Sequence, residues 1–267
     1  MSPLNYVEKL CMLSEIVEPV KCKVENRVAE CAEPCIVTKG TQPEDPTVLT
    51  APWVDAWFVK WNRSFFAKMD IICSMAALVW SLQIYQAFLR WNETRNDIHG
   101  FVLLHDPILR QLTPHDFSIP LFFLVYGSVI LALFYGRNKP DFVLETLQAK
   151  TCVVWMRMAA LFLVPLEAPA DTIPLVDPIA GGDGIVLMRD LFFSGHTATT
   201  FLMFLVCRRQ DGWWKLLFLS MAATTAAMVT LQKTHYAIDV FAAPFFVYTC
   251  HGVVFEARRH FKAIHAL

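Results

Sequence analysis

Six apolar stretches, each about as long as a hydrocarbon layer is thick and each bounded by a cation, constrain this chain more than anything else in it. A bilayer core of about 30 Å takes about 20 apolar residues as helix. Stretches at or slightly below that length lie near 69–89, 118–136, 151–167, 195–211, 214–232 and 236–256, and Arg90, Arg137, Lys150, Arg208, Lys215 and Arg258 punctuate them. A single buried core has no use for such regular interruptions. At 55% hydrophobic residues, with 21 Phe and 8 Trp, the 267-residue chain is also more apolar than a soluble domain of its size needs. The expectation is an all-α polytopic membrane protein, a bundle of six transmembrane helices.

Cytoplasmic loops keep the excess of Lys and Arg. With the N-terminus inside, one face collects Lys60, Arg63, Lys68, Arg137, Lys139, Lys150, Arg208, Arg209, Lys215, Arg258, Arg259 and Lys262, and the other only Arg90, Arg95, Arg110, Arg189 and Lys233. Both termini are therefore expected in the cytosol, with 69–256 forming the membrane domain and 257–267 a basic tail. Ahead of the first crossing, Trp53, Trp57 and Trp61 recur every fourth residue among Lys60, Arg63 and Lys68. That stripe reads as an interfacial amphipathic helix over 51–68, or as a packing face against the bundle. Residues 1–50, with Pro43, Pro46 and several charges, read as a polar, partly ordered cytosolic tail. No cleavable signal peptide is expected, because the first long apolar run begins near residue 69. The 8 cysteines are too scattered for a disulfide framework, and Cys31-x3-Cys35 lacks further ligands at zinc spacing. A net charge of −1 without a basic block argues against nucleic acid as a partner.

Two strings carry the chemistry. His235 and Asp239, in His235-Tyr236-Ala237-Ile238-Asp239, are four residues apart and share a helix face. An ionisable group in an apolar run is expensive unless it has a partner or a task. Asp239 accepting the Nδ1–H of His235 would fix the tautomer and leave Nε2 as a nucleophile or base. Ser194-Gly195-His196-Thr197 opens another helix, whose free N–H groups favour a phosphate. Gly195 lets the backbone come close, and His196 is placed to protonate a leaving oxygen. The topology puts both histidines at the exoplasmic ends of the fourth and sixth helices. The competing reading is a pair of helix-capping histidines with a satisfied Asp in a transporter-like bundle.

Asp190-Leu-Phe-Phe-Ser-Gly-His-Thr197 resembles the C-G-D-x-L-F-S-G-H-T signature of the sphingomyelin synthase-related lipid phosphotransferases, a branch of the lipid phosphate phosphatase superfamily, and His235-to-Asp239 resembles their H-Y-T-x-D-V. The resemblance implies a phosphohistidine at His235, with Asp239 orienting it. It makes His196 the acid that later serves as base, and Asp190 a head-group contact. Ser194, Gly195 and Tyr236 fall within the same motifs as substrate-binding positions, and Arg157 resembles an arginine of the third helix, with a buried ion pair as its alternative role. Met188 and Arg189 replace the Cys-Gly of the synthase signature, and phosphatidylcholine:diacylglycerol cholinephosphotransferases of plants carry a similar motif pair.

Lys150-x6-Arg157 imitates the phosphatase motif K-x6-R-P but ends in Met158, and Lys150 is expected at the cytosolic edge, about 25 Å from the opposite face. It is therefore set aside as a phosphate clamp. The phosphatase pattern S-R-x5-H fails at Met228 and Val229. Loop 91–117, with His99, His105, His115, Asp97, Asp106 and Asp116, reads as solvated polarity rather than a metal site, and the largely apolar loop 168–188 as a cover for the reaction centre. The expectation is a lipid phosphotransferase (EC 2.7.8 type) without cofactor or metal. It would move a phospho-alcohol, phosphocholine first among head groups, from a glycerophospholipid to diacylglycerol or ceramide on the lumenal or exoplasmic side of the ER, Golgi or plasma membrane. Homo-oligomerisation is left open. The rivals are a lipid phosphate phosphatase using the same histidines and a non-enzymatic scramblase or channel.

Overall fold

The computed structural model describes residues 51–95, 100–175, 186–208 and 212–265. The tail over 1–50, with Cys31 and Cys35, lies outside them, as do His99, Asp97 and the Gly181-to-Gly184 turn of the expected cover. Among the described residues are seven α-helices and no strand beyond an isolated bridge between Val102 and Leu166. They are α1 (Pro52–Arg63), α2 (Phe65–Thr94), α3 (Ser118–Gly136), α4 (Pro140–Leu163), α5 (Gly195–Cys207), α6 (Trp214–Leu231) and α7 (Ala237–His265). Prolines open α1 and α4, where a missing N–H costs nothing. Ser64 opens α2 by accepting the N–H of Ala67 at 3.1 Å.

Helices α2, α3, α6 and α7 are each long and apolar enough to cross a membrane. Helix α5 has 13 residues, about 20 Å of rise against a hydrocarbon layer of about 30 Å. It packs against α3, α4, α6 and α7 and buries residues on every side, from Thr197 and Ala198 to Val206 and Cys207. A helix wrapped by other helices needs neither a lipid-facing stripe nor a full crossing length.

The expected third segment, 151–167, is displaced: α4 begins at Pro140 and ends at Leu163. Lys150 consequently lies in the middle of a helix and not at its start. The reason is that the charges of α4 face protein. Asp141 receives Lys60 and Arg258 at 3.0 and 3.2 Å, Glu145 meets His251 at 2.9 Å, and the Lys150 amine donates to the Thr199 hydroxyl at 2.8 Å. A hydropathy window registers a break where the helix simply continues.

The interfacial segment expected over 51–68 divides at Ser64, which is extended. Trp57 donates its indole N–H to the Arg137 carbonyl at 3.0 Å and Lys60 is buried, whereas Trp53 and Phe58 stay exposed. Near this end, Arg258 bonds Asp70 at 3.1 Å and Lys262 bonds Asp141 at 2.9 Å, so buried and half-exposed charges together tie α1, α2, α4 and α7.

At the opposite end the connecting loops are stitched to one another. Val102 donates to Pro165 and Glu167 donates back to Val102, each at 3.0 Å, and His115 donates to Leu231 at 3.1 Å. Asp106 is no solvated loop residue: its Oδ2 accepts the N–H of Ala237 at 2.7 Å, capping α7 from a distant loop, while Oδ1 accepts those of Ile108 and Leu109.

Candidate active site

Helices α5 and α7 begin side by side, because α6 returns the chain between them. The N–H of Ser194 donates to the Asp239 carbonyl at 3.2 Å, joining the two starts. Ser194 caps α5 through a 3.4 Å bond from the N–H of Thr197 to its hydroxyl, leaving His196 in the first turn. His235 stands two residues before α7, just after Lys233, whose φ of 57° turns the chain inward. The rings of His196 and His235 lie 6.0 Å apart, inclined at 64°.

What orients His235 differs from expectation. Its Nδ1 lies 3.1 Å from the Leu191 carbonyl and 3.8 Å from Asp239 Oδ2. A carbonyl can only accept, so this hydrogen bond places the proton on Nδ1 and leaves the Nε2 lone pair available. Asp239 instead accepts the N–H of Tyr236 at 3.0 Å. It is the third residue of α7, and an acid there reaches back to the N–H of the capping residue. The carboxylate is fully buried and remains within ion-pair range of the imidazole.

A second cluster borders the imidazoles. Arg157 donates to Asp190 at 2.5 Å and to the Tyr85 hydroxyl at 3.0 Å, and that hydroxyl donates to Asp190 at 3.2 Å. Arg157 is 3% exposed, yet its Nη1 meets no hydrogen-bond acceptor among the described residues. The guanidinium passes over Gly195, where an added Cβ would stand 3.1 Å from Arg157 Cζ. Glycine at this position lets a buried cation, with one donor to spare, reach the start of α5.

Two cavities meet at Asp190 and His196. One, of about 40 Å³, also touches His235, Thr172, Leu175 and Thr234 and lies toward the loops. The other, of about 320 Å³, extends along Leu78, Leu82, Val125 and Val129 and also contacts Arg157, Gly195 and Lys150. A larger hollow of about 740 Å³, lined by Phe65, Met69 and Phe261, touches neither imidazole. Size therefore does not locate the chemistry here.

His196, His235, Asp239, Asp190, Ser194, Gly195 and Arg157 thus converge. Tyr236 stands apart, because its hydroxyl donates to the Glu167 carbonyl at 2.8 Å and accepts from the N–H of Leu104 at 3.2 Å. Burial raises its pKa above the ordinary tyrosine value, which keeps the phenol a neutral donor between two loops. Sequence reasoning misses Tyr85 and the Leu191 carbonyl, and it sets Lys150 aside. Only Lys150 had a signal, since a spacing of seven puts it on the same helix face as Arg157.

Residues 189–257 match the family model described as PAP2 superfamily C-terminal. This supports the lipid phosphate phosphatase superfamily. The PAP2 match holds both histidines and Asp239, whereas Tyr85, Lys150 and Arg157 precede it. It names the superfamily and no branch of it. No curated protein matches the chain.

Proposed function

We propose that the chain is an integral membrane lipid phosphotransferase that moves a phospho-alcohol head group, phosphocholine first, from a glycerophospholipid to diacylglycerol or ceramide. In this reading all of α2 to α7 lie in the membrane, with both termini cytosolic and the imidazoles near the exoplasmic surface. The observation that carries it is the pair of rings 6.0 Å apart, one of them holding its proton on Nδ1 against Leu191.

His235 Nε2 attacks phosphorus. The N–P bond forms as the bond from phosphorus to the glycerol oxygen breaks, and His196 gives that oxygen its proton. Asp239 stabilises the cationic ring electrostatically, while Arg157 Nη1 and the N–H groups at the start of α5 receive the phosphoryl oxygens. In the second half His196 takes the proton of the acceptor hydroxyl, whose oxygen displaces His235. One phosphodiester replaces another, so no nucleotide is consumed, and an apolar cavity limits competition by water.

A lipid phosphatase is the second reading. The PAP2 match is compatible with hydrolysis and with transfer alike, and Lys150 lines the cavity seven residues before Arg157, as in the phosphatase motif. Two grounds against it stand: Met158 follows Arg157 where K-x6-R-P has proline, and Met228 and Val229 occupy the Ser and Arg positions of S-R-x5-H. Membranes supplied with labelled ceramide, labelled diacylglycerol and defined phospholipid donors separate the readings. Transfer yields a new labelled phospholipid, hydrolysis a soluble head group. His235→Ala is expected to abolish either product with the fold retained. Undiminished lipid movement in that variant would instead support a scramblase.

A further inference from the structure

Lys150 is a cation at the cavity wall that neither half-reaction uses. Its amine has a defined place: it donates to the Thr199 hydroxyl at 2.8 Å, and that hydroxyl donates to the Gly195 carbonyl at 2.8 Å. Thr199 lies four residues beyond Gly195 on α5, a rise of about 6 Å. The Arg157 guanidinium, by contrast, sits at Gly195 itself. Antiparallel α4 and α5 therefore present two cationic side chains to the same cavity of about 320 Å³. One is level with the imidazoles and the other about one helical turn deeper. Between and around them the walls are Leu78, Leu82, Val125, Val129 and Val154.

A charged group inside a largely apolar space is kept for a partner or a task, and Lys150 both bonds Thr199 and lines the cavity. Phosphorus must lie in line with His235 Nε2, so the deeper cation is not placed for the phosphoryl oxygens. In a glycerophospholipid the group a few bonds below phosphorus, roughly one helical turn away, is the acyl ester, and past it there is only hydrocarbon. An ester carbonyl accepts hydrogen bonds and cannot donate them, which complements an amine. We propose that Lys150, held by Thr199, binds the ester carbonyl of the donor glycerolipid and so distinguishes acyl from ether-linked lipids.

This inference rests on the reading of the site as one for lipid phosphodiesters, and its test separates the two. Head-group turnover, with transfer and release counted together, is compared for diacyl and dialkyl-ether phosphocholine lipids. The wild-type protein is expected to favour the diacyl lipid about tenfold, as for one hydrogen bond from a charged donor. Lys150→Met is expected to bring that ratio close to one. Should that variant fail to fold, Thr199→Val, which keeps the amine and removes its hydrogen bond to this hydroxyl, is expected to lower the same ratio. A wild-type ratio near one would overturn the proposal. So would a Lys150→Met protein that slows both lipids alike, because the lysine would then merely join α4 to α5. Lipid occupancy of the purified protein, read by native mass spectrometry, gives the ratio without turnover. A protein that transfers nothing would remove the transferase reading and leave this comparison standing.

Discussion

Replacing Gly195 by alanine tests whether the site depends on a guanidinium laid across the start of α5. The new Cβ would stand 3.1 Å from Arg157 Cζ and 3.3 Å from Nε and Nη1. Ordinary contact begins at about 3.5 Å, a shortfall of about 0.4 Å. An exposed arginine would swing away at little cost. Arg157 has no such freedom, because Asp190 holds it at 2.5 Å, Tyr85 at 3.0 Å, and its Cζ stands 5.5 Å from the centre of the Phe193 ring. Overpacking of this kind costs about 1–3 kcal/mol, offset by up to about 1 kcal/mol from replacing glycine in a helix. Net stability should therefore fall by no more than about 3 kcal/mol. The reaction is more sensitive, since a misplacement approaching 1 Å can cost about a hundredfold. Head-group turnover in Gly195→Ala is expected to drop about ten- to a hundredfold at a temperature well below the melt, while the detergent-solubilised protein still unfolds in a cooperative transition lowered by several degrees at most. Gly127→Ala on α3 is the control, because a Cβ there meets nothing within 4 Å, and it should keep full turnover. Wild-type turnover in Gly195→Ala would refute the argument, since Arg157 would then be free to move without consequence.

Three other substitutions probe separate links. His196→Ala should lose more than about a hundredfold on natural phospholipids, yet much less on p-nitrophenyl phosphocholine, whose leaving group departs without a proton donor; equal losses on both would exclude the general-acid role. Asp239→Asn should reduce turnover only about ten- to a hundredfold, short of the about 10⁴-fold known where the carboxylate itself fixes the tautomer, because here Leu191 does so. A loss as large as that would mean that Asp239, and not the carbonyl, orients the ring. Asp106→Ala should lower stability by about 1–2 kcal/mol, the scale of a lost cap, seen as a lower melting temperature, since it strips the cap from α7 and two acceptor contacts from its own loop.

The two motif strings are legible because each is local: a histidine in a first turn, a carboxylate three or four residues away and a glycine are read straight along the chain. What orients them is not local. The carbonyl that holds His235 belongs to Leu191, and a backbone carbonyl leaves no mark in residue type. Tyr85 looks like one more aromatic in an apolar run until Arg157 and Asp190 arrive from elsewhere. Helix α4 shows the physical reason most clearly. Transfer scales charge each residue as if lipid surrounded it, and on that basis Asp141, Glu145 and Lys150 break the helix at residue 150. Each of these groups has a partner on another helix, so the penalty that ends a hydropathy run applies only to the face that meets lipid. The same correction moves Lys150 from a helix start to the interior of α4, where it lines the cavity. Counted from a false helix start the amine is an edge charge; counted from Pro140 it is a donor, bonded to Thr199, in the wall of the cavity that holds Arg157 and His196.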